Sequence, residues 1–273
     1  MLGALSINQY NFWFYNFTDP STSTGILVTA GSGSKGSWYN LATALVTDVY
    51  EFIVWLMNGN ATGAQRDFLV DIGIDPAGGS SYSAIISNIL AHQISNSVDC
   101  GRFYKFNYFI PSGSTVGIRA QGNGANTFYA QGRFFGRPLS PHLLRAGQYS
   151  ETLGVSGNGG TAITPGNSGA EGSWTSIGTT TRNLWQFNLC AGFSGTTTTA
   201  QMYYFDMAFG DASTKILIQE NFPLFHPGTA ERTGNPILPA YWEVPGGSNM
   251  YIRASASGTA DAGCNALIVG IGG

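Results

Sequence analysis

A set of short motifs occurs twice in this chain, in one order and at nearly one spacing. Phe68-Leu69-Val70-Asp71-Ile72-Gly73 is echoed by Tyr204-Phe205-Asp206-Met207-Ala208-Phe209-Gly210. Upstream, Gly36-Ser37-Trp38 returns as Gly172-Ser173-Trp174. Downstream, Ile110-Pro111-Ser112-Gly113-Ser114 returns as Val244-Pro245-Gly246-Gly247-Ser248, and Ile118-Arg119-Ala120 as Ile252-Arg253-Ala254. The offsets are 174 − 38 = 136, 206 − 71 = 135, 245 − 111 = 134 and 253 − 119 = 134. Four ordered markers at a nearly constant offset indicate an internal duplication, which fixes the architecture before any single element is read.

The chain of 273 residues therefore divides into two ordinary domains. The sequence predicts an all-β fold of two tandem jelly-roll-like β-sandwich domains. The expected limits are an aromatic N-terminal arm at 1–28, a first sandwich at 29–137, a linker at 138–163 and a second sandwich at 164–273. Apolar runs of strand length recur between turn signals: Tyr50 to Met57, Phe68 to Ile74, Phe103 to Ile110, Thr115 to Gln121 and Phe128 to Phe135. Tyr82 to His92 reads as a strand or a short helical turn. Leu139 to Ala146 reads as one or two helical turns, and Ser156-Gly157-Asn158-Gly159-Gly160 as a flexible linker.

Composition narrows the function classes. Charged residues make up 10% of the chain, against about 25% in typical soluble proteins. With 43% hydrophobic and 13% aromatic content, that low charge argues for an ordered β protein with an uncharged polar surface rather than for disorder. A net charge of −3 without a basic stripe argues against nucleic acid as a partner. No apolar stretch is long enough for a membrane-spanning helix, and the N-terminus lacks the pattern of a signal peptide. Three cysteines with no shared spacing indicate neither a disulfide framework nor a zinc site.

Motifs that carry chemistry are scarce. The histidines His92, His142 and His226 have no repeat partners. Asp71 with Asp75, and Asp206 with Asp211, lack the spacing and terminal Glu of a calcium loop, so no metal is expected. Gly31-Ser32-Gly33-Ser34-Lys35 has the glycines of a phosphate cradle without its spacing, and its counterpart Gly166-Asn167-Ser168-Gly169 lacks the lysine. The charges that do recur are Asp71 with Arg119 and Asp206 with Arg253. Each sits in an apolar strand, where an unpaired charge is costly, so structural ion pairs are expected within each domain. A ligand-binding carboxylate and guanidinium is the competing reading. The arm concentrates six rings, Tyr10, Phe12, Trp13, Phe14, Tyr15 and Phe17, on both faces of one segment. It reads either as a strand buried between the domains or as a segment docking on another chain.

Gly-Ser-Trp, then Leu69-Val70-Asp71-Ile72-Gly73-Ile74 with Pro76-Ala77-Gly78-Gly79, then Phe109-Ile110-Pro111-Ser112-Gly113-Ser114-Thr115-Val116-Gly117-Ile118-Arg119-Ala120-Gln121, resemble β-rich structural proteins of tailed bacteriophages. The resemblance spans both copies and is weaker in the second, where Met207-Ala208 replaces the Gly after Asp-Ile. It implies a non-enzymatic virion protein with no cofactor, made in the host cytoplasm. Such a protein assembles with copies of itself and other virion proteins, as head decoration or a neck or tail component. The main alternative is a carbohydrate-binding receptor module of a tail appendage, with Trp and Tyr stacking on a glycan. A glycan-degrading enzyme on a β scaffold is the third reading, since a jelly roll hosts all three.

Overall fold

The structure, a computed structural model, describes residues 12–15, 25–58, 66–93, 102–124, 126–136, 145–194, 200–226, 239–260 and 263–273. The first half contains β1 (Phe12–Tyr15), β2 (Ile26–Thr29), β3 (Gly31–Ser32), β4 (Tyr39–Ala42), β5 (Glu51–Asn58), β6 (Arg66–Asp75), β7 (Ser83–Gln93), β8 (Arg102–Phe106), β9 (Thr115–Gly122) and β10 (Thr127–Phe135). The second contains β11 (Tyr149–Leu153), β12 (Val155–Ser156), β13 (Gly159–Ile163), β14 (Thr175–Thr179), β15 (Leu184–Ser194), β16 (Gln201–Gly210), β17 (Lys215–His226), β18 (Ala240–Val244), β19 (Asn249–Ala256) and β20 (Gly263–Gly272). No helix occurs among the described residues.

Each half is a jelly roll of two sheets. In the first, one sheet runs β1-β10-β5-β8 with β2 also on β10, and the other runs β3-β9-β6-β7 with β4 on β9. In the second, the sheets run β12-β13-β20-β15-β18, with β11 on β20, and β14-β19-β16-β17. They are called below the β5, β6, β15 and β16 sheets. The order β10-β5-β8 is thus matched by β20-β15-β18, and β9-β6-β7 by β19-β16-β17. Register matches too, with Asp71 opposite Arg119 and Asp206 opposite Arg253.

Strand alternation explains the packing. Along β10, Phe128, Ala130 and Phe134 are buried while Tyr129, Gln131 and Arg133 point outward. Phe52, on the adjacent β5, has its ring 5.2 Å from that of Phe106 and 6.0 Å from that of Phe134. The second core repeats the device, with Phe193 4.8 Å from Tyr203 across the sheets. The β15 sheet departs from alternation. β20 is buried almost throughout, and so is β15 from Leu184 to Phe193, which requires cover on both faces.

That cover is the first sandwich, set edge-on. Strands β7 and β8 end their sheets on one side of the first sandwich, and both rest on the outer face of the β15 sheet. Ser150 and Thr152 hydroxyls of β11 donate to the Ile85 and Ser87 carbonyls of β7. Gln186 of β15 accepts from the Asn107 amide at 2.9 Å and donates to the Lys105 carbonyl at 2.7 Å. Arg102 donates to the Ala191 carbonyl. Phe109 N to Gly147 O and Gly147 N to Asn107 O, each 2.9 Å, continue the seam as backbone pairing. A bare strand edge is an invitation to foreign pairing, and here one sandwich's edge is stoppered by the other's face.

Several expectations change. Residues 149–163, expected within a linker, form β11 to β13 in the β15 sheet. The glycines there serve close approach rather than flexibility. A Cβ on Gly160 would lie 2.6 Å from the Ala266 backbone, and Gly157 turns the hairpin with φ 57°. The backbone of Phe12–Tyr15 pairs antiparallel with β10 of its own chain, as β11 pairs with β20, so this part of the arm has a counterpart in the second half. Tyr10 and Phe17 lie outside the described residues, as does most of the helix expected over 139–146; Arg145 and Ala146 are not helical. Ser83–Gln93 is a strand whose pairing with β6 shifts register twice, beside Asn88 and at Ile85, which breaks the two-residue alternation of its isoleucines.

Candidate functional site

The recurring charges form the same constellation in each sandwich. Arg119 Nε donates to Asp71 Oδ2 at 3.0 Å, and Arg253 Nε donates to Asp206 Oδ2 at 2.8 Å. Both carboxylates also accept a backbone amide from the neighbouring edge strand: Asn88 N at 3.0 Å and Asn221 N at 2.7 Å. Those two asparagines are left-handed, with φ of 58° and 53°, and pairing with β6 and β16 shifts register beside them. Each Asp therefore clamps a bulge by taking an amide the ladder has released. Each Arg lies over an indole at 4.5 Å, Trp38 for Arg119 and Trp174 for Arg253. The Gly-Ser-Trp marker is thus part of the same device. Gly73 leaves room for the Trp38 ring, since a Cβ there would lie 2.5 Å from it.

One member has no signal in the repeat because its sign reverses. Lys35 Nζ donates to Asp71 Oδ1 at 2.5 Å and to the Leu69 carbonyl at 2.9 Å. Burial pulls the Lys35 ammonium below the usual lysine range, opposed by its hydrogen bond to Asp71. The equivalent position, just ahead of Gly172, is Glu171, whose carboxylate sits 3.5 Å from Arg253 Nε. Burial, then the Asp206 charge, push the Glu171 carboxyl above the usual range. Reading the residue before each Gly-Ser-Trp as a pair would have exposed this. The glycine-rich loop is accordingly an ion-pair support.

A cleft of about 330 Å³ opens on the outer face of the β5 sheet. Among the described residues it is lined by Ile53 and Trp55 of β5, Phe103 of β8, and Gln131 and Arg133 of β10. All five occupy the outward positions of their strands. Three apolar or aromatic side chains with one amide and one guanidinium suit an apolar ring or edge bearing hydrogen-bond acceptors. The sequence reading missed this surface, because its residues come from three strands and only sheet order brings them together.

No group of three or more His, Cys, Asp or Glu side chains arranged for a metal occurs among the described residues. Asp75 accepts the Ala77 and Ser81 amides, and Asp211 those of Ser213 and Thr214, so both acids close turns. His226 is buried edge-on to Phe193, with centroids 4.4 Å apart. Burial pushes the Cys190 thiol up to about 12, which leaves it unreactive as a nucleophile.

No family model and no curated protein matches the chain. Solved structures with similar folds include the CBM22-1–CBM22-2 tandem domain of Paenibacillus barcinonensis Xyn10C, at 8% identity and TM-score 0.28 over 97% of this chain and 91% of that one. PNGase F, a glycosylasparaginase from Flavobacterium meningosepticum, matches at 10% identity and TM-score 0.42 over 96% of each chain. An infectious bursal disease virus structure (Gt strain) matches at 10% identity and TM-score 0.24 over 97% and 73%. A carbohydrate-binding module, a glycan-processing enzyme and a virus thus stand side by side. All fall below a TM-score of 0.5, so none passes a ligand or an activity to this chain.

Proposed function

We propose that this chain is a non-enzymatic structural subunit that works by protein–protein contact, built from a duplicated jelly roll. The observation carrying this reading is the exposed apolar side chains on β17 and β18, the outermost strands of the second sandwich among the described residues. Ile216, Leu217 and Phe225 on β17 and Trp242 on β18 are 45, 38, 38 and 47% exposed. Large apolar residues left exposed on the outermost strands of a sandwich suit a contact surface. The virion setting rests on the sequence resemblance alone. The limits that fit the strand pairing are residues 12–136 for the first sandwich and 145–273 for the second. Glycan binding is the second reading, favoured by the cleft, since Trp55 and Phe103 beside Gln131 and Arg133 suit stacking on a sugar ring.

Sedimentation of the purified chain across a wide concentration range, paired with a glycan array, separates the two. The structural reading expects mass to grow with concentration and no glycan to be retained. A monomer at every concentration that holds a defined glycan, and loses it in Trp55→Ala, would contradict it.

A further inference from the structure

The geometry points to a self-modification site at Asn123-Gly124, where the asparagine side chain loses its amide to water in the folded chain while the neighbouring Asn158-Gly159 is protected. The site lies in the polar contact between the two sandwiches, so its product brings a new negative charge into that contact. The proposal goes beyond the structural reading and does not depend on it.

The chemistry needs an asparagine followed by a residue whose backbone nitrogen can reach the side-chain carbonyl carbon. Glycine suits that role because it lacks the Cβ that hinders the approach. The sequence holds three such pairs, Asn58-Gly59, Asn123-Gly124 and Asn158-Gly159. Gly59 lies outside the described residues, whereas the other two pairs meet. Asn158 Nδ2 donates to Asn123 Oδ1 at 2.8 Å, and Gln121 Nε2 donates to Asn158 Oδ1 at 2.7 Å. This chain of amides runs from the end of β9 to the tip of the β12–β13 hairpin. Asp67 stands beside it: its Oδ2 would lie 3.1 Å from a Cβ on Gly159, and it accepts from Asn265 Nδ2 at 3.4 Å.

The two pairs share a sequence and differ in what the fold does to them. Asn158 has both its carbonyl oxygen and its amide nitrogen engaged, which fixes the side chain against the first sandwich. Gly159 is buried and pairs with Ser156 across a two-residue turn, where a hairpin ladder takes up the N–H. Attack there requires the amide chain and the hairpin to open first. Asn123 is exposed in a bend after β9, and its side chain makes one hydrogen bond among the described residues, the one its oxygen accepts. That bond draws electron density from the carbonyl and makes Cγ more electrophilic. Gly124 donates no hydrogen bond from its N–H among the described residues. An unengaged nitrogen and a polarised carbonyl therefore stand side by side at Asn123 and not at Asn158.

Gly124 N bonds to Asn123 Cγ, its proton leaving with the amide as ammonia, and a cyclic succinimide results. Water then opens the ring at either carbonyl. The products are aspartate and isoaspartate, the latter with its main chain running through the former side-chain carbon. The net change is one water consumed and one ammonia released, with nothing oxidised or reduced. The new carboxylate faces Asn158 Nδ2 in a contact that already holds Asp67, and the isoaspartate form also lengthens the bend.

The test is mass spectrometry of the full chain held warm at alkaline pH, with conversion read peptide by peptide. In the native protein Asn123 is expected to convert at least roughly tenfold faster than Asn158, since each hydrogen bond that must open first slows the step. In concentrated urea the two should convert at similar rates, because both are then Asn-Gly in an unstructured chain. Equal native rates, faster conversion of Asn158, or no conversion of Asn123 would each overturn the proposal. So would a preference for Asn123 that persists in urea. Gly124→Ala places a methyl beside the attacking nitrogen, and that Cβ would meet only the Asn126 side chain, at 3.3 Å. The variant should keep the wild-type thermal midpoint and slow native conversion at Asn123 by roughly tenfold. An unchanged rate would count against ring closure by Gly124.

Discussion

Asp71 and Asp206 each hold an arginine and a released backbone amide, so removing either carboxylate strands a cation and an N–H together. The carboxylates are almost fully buried while the arginines are partly exposed, which softens the cost below that of a wholly buried pair. Asp71→Ala and Asp206→Ala are each expected to lower the unfolding free energy by about 2–4 kcal/mol, measured by denaturant titration. Losses below about half a kcal/mol would show the clamp to be ornamental. Glu171 gives a second, pH-dependent test. Its folded carboxyl titrates above its unfolded value, so it favours the folded state most below the unfolded pKa and loses that advantage as pH rises through the folded one. Glu171→Gln should therefore raise the thermal midpoint at pH 7, with the gain disappearing as pH falls toward the ordinary carboxylate range. An unchanged gain at acid pH would contradict the assignment. The Asp–Arg pairs were legible in the sequence because both signs recur. Lys35 was not, since its counterpart has the opposite charge.

At the scale of elements, most strands were readable from alternation and turns, as at Ile110-Pro111-Ser112-Gly113, where Gly113 takes φ 80°. The exceptions have local physical causes. β7 carries isoleucines off the strand alternation because its register shifts twice, beside the left-handed Asn88 and at Ile85, and a bulge is invisible to a two-residue period. β11 to β13 looked like linker because glycines that permit close backbone approach are compositionally the same as glycines that permit motion. The face of β15 that buries Gln186 and Asn188 reads as an exposed polar face until its cover is known. Asn88 offers the sharpest test at this scale. Asn88→Gly should fold with little change, whereas Asn88→Val should lose about 1–2 kcal/mol, since a β-branched residue resists the left-handed region. Equal stability of the two by chemical denaturation would mean the bulge relaxes.

For the whole molecule, the four markers pointed to two like halves, but the way those halves meet was not legible. Nothing in a repeat tells whether two sandwiches join face to face, end to end or edge on face. Edge-on-face joining sets the β7 and β8 edge of the first sandwich against the outer face of the β15 sheet. The direct measurement is an electron-microscopy reconstruction of the self-associated protein, giving the rotation and translation between neighbouring chains. The account predicts an assembly in which a neighbouring chain covers exposed apolar residues of β17 and β18, Ile216, Leu217, Phe225 and Trp242 among them. An assembly that leaves all four of these side chains in solvent would contradict it.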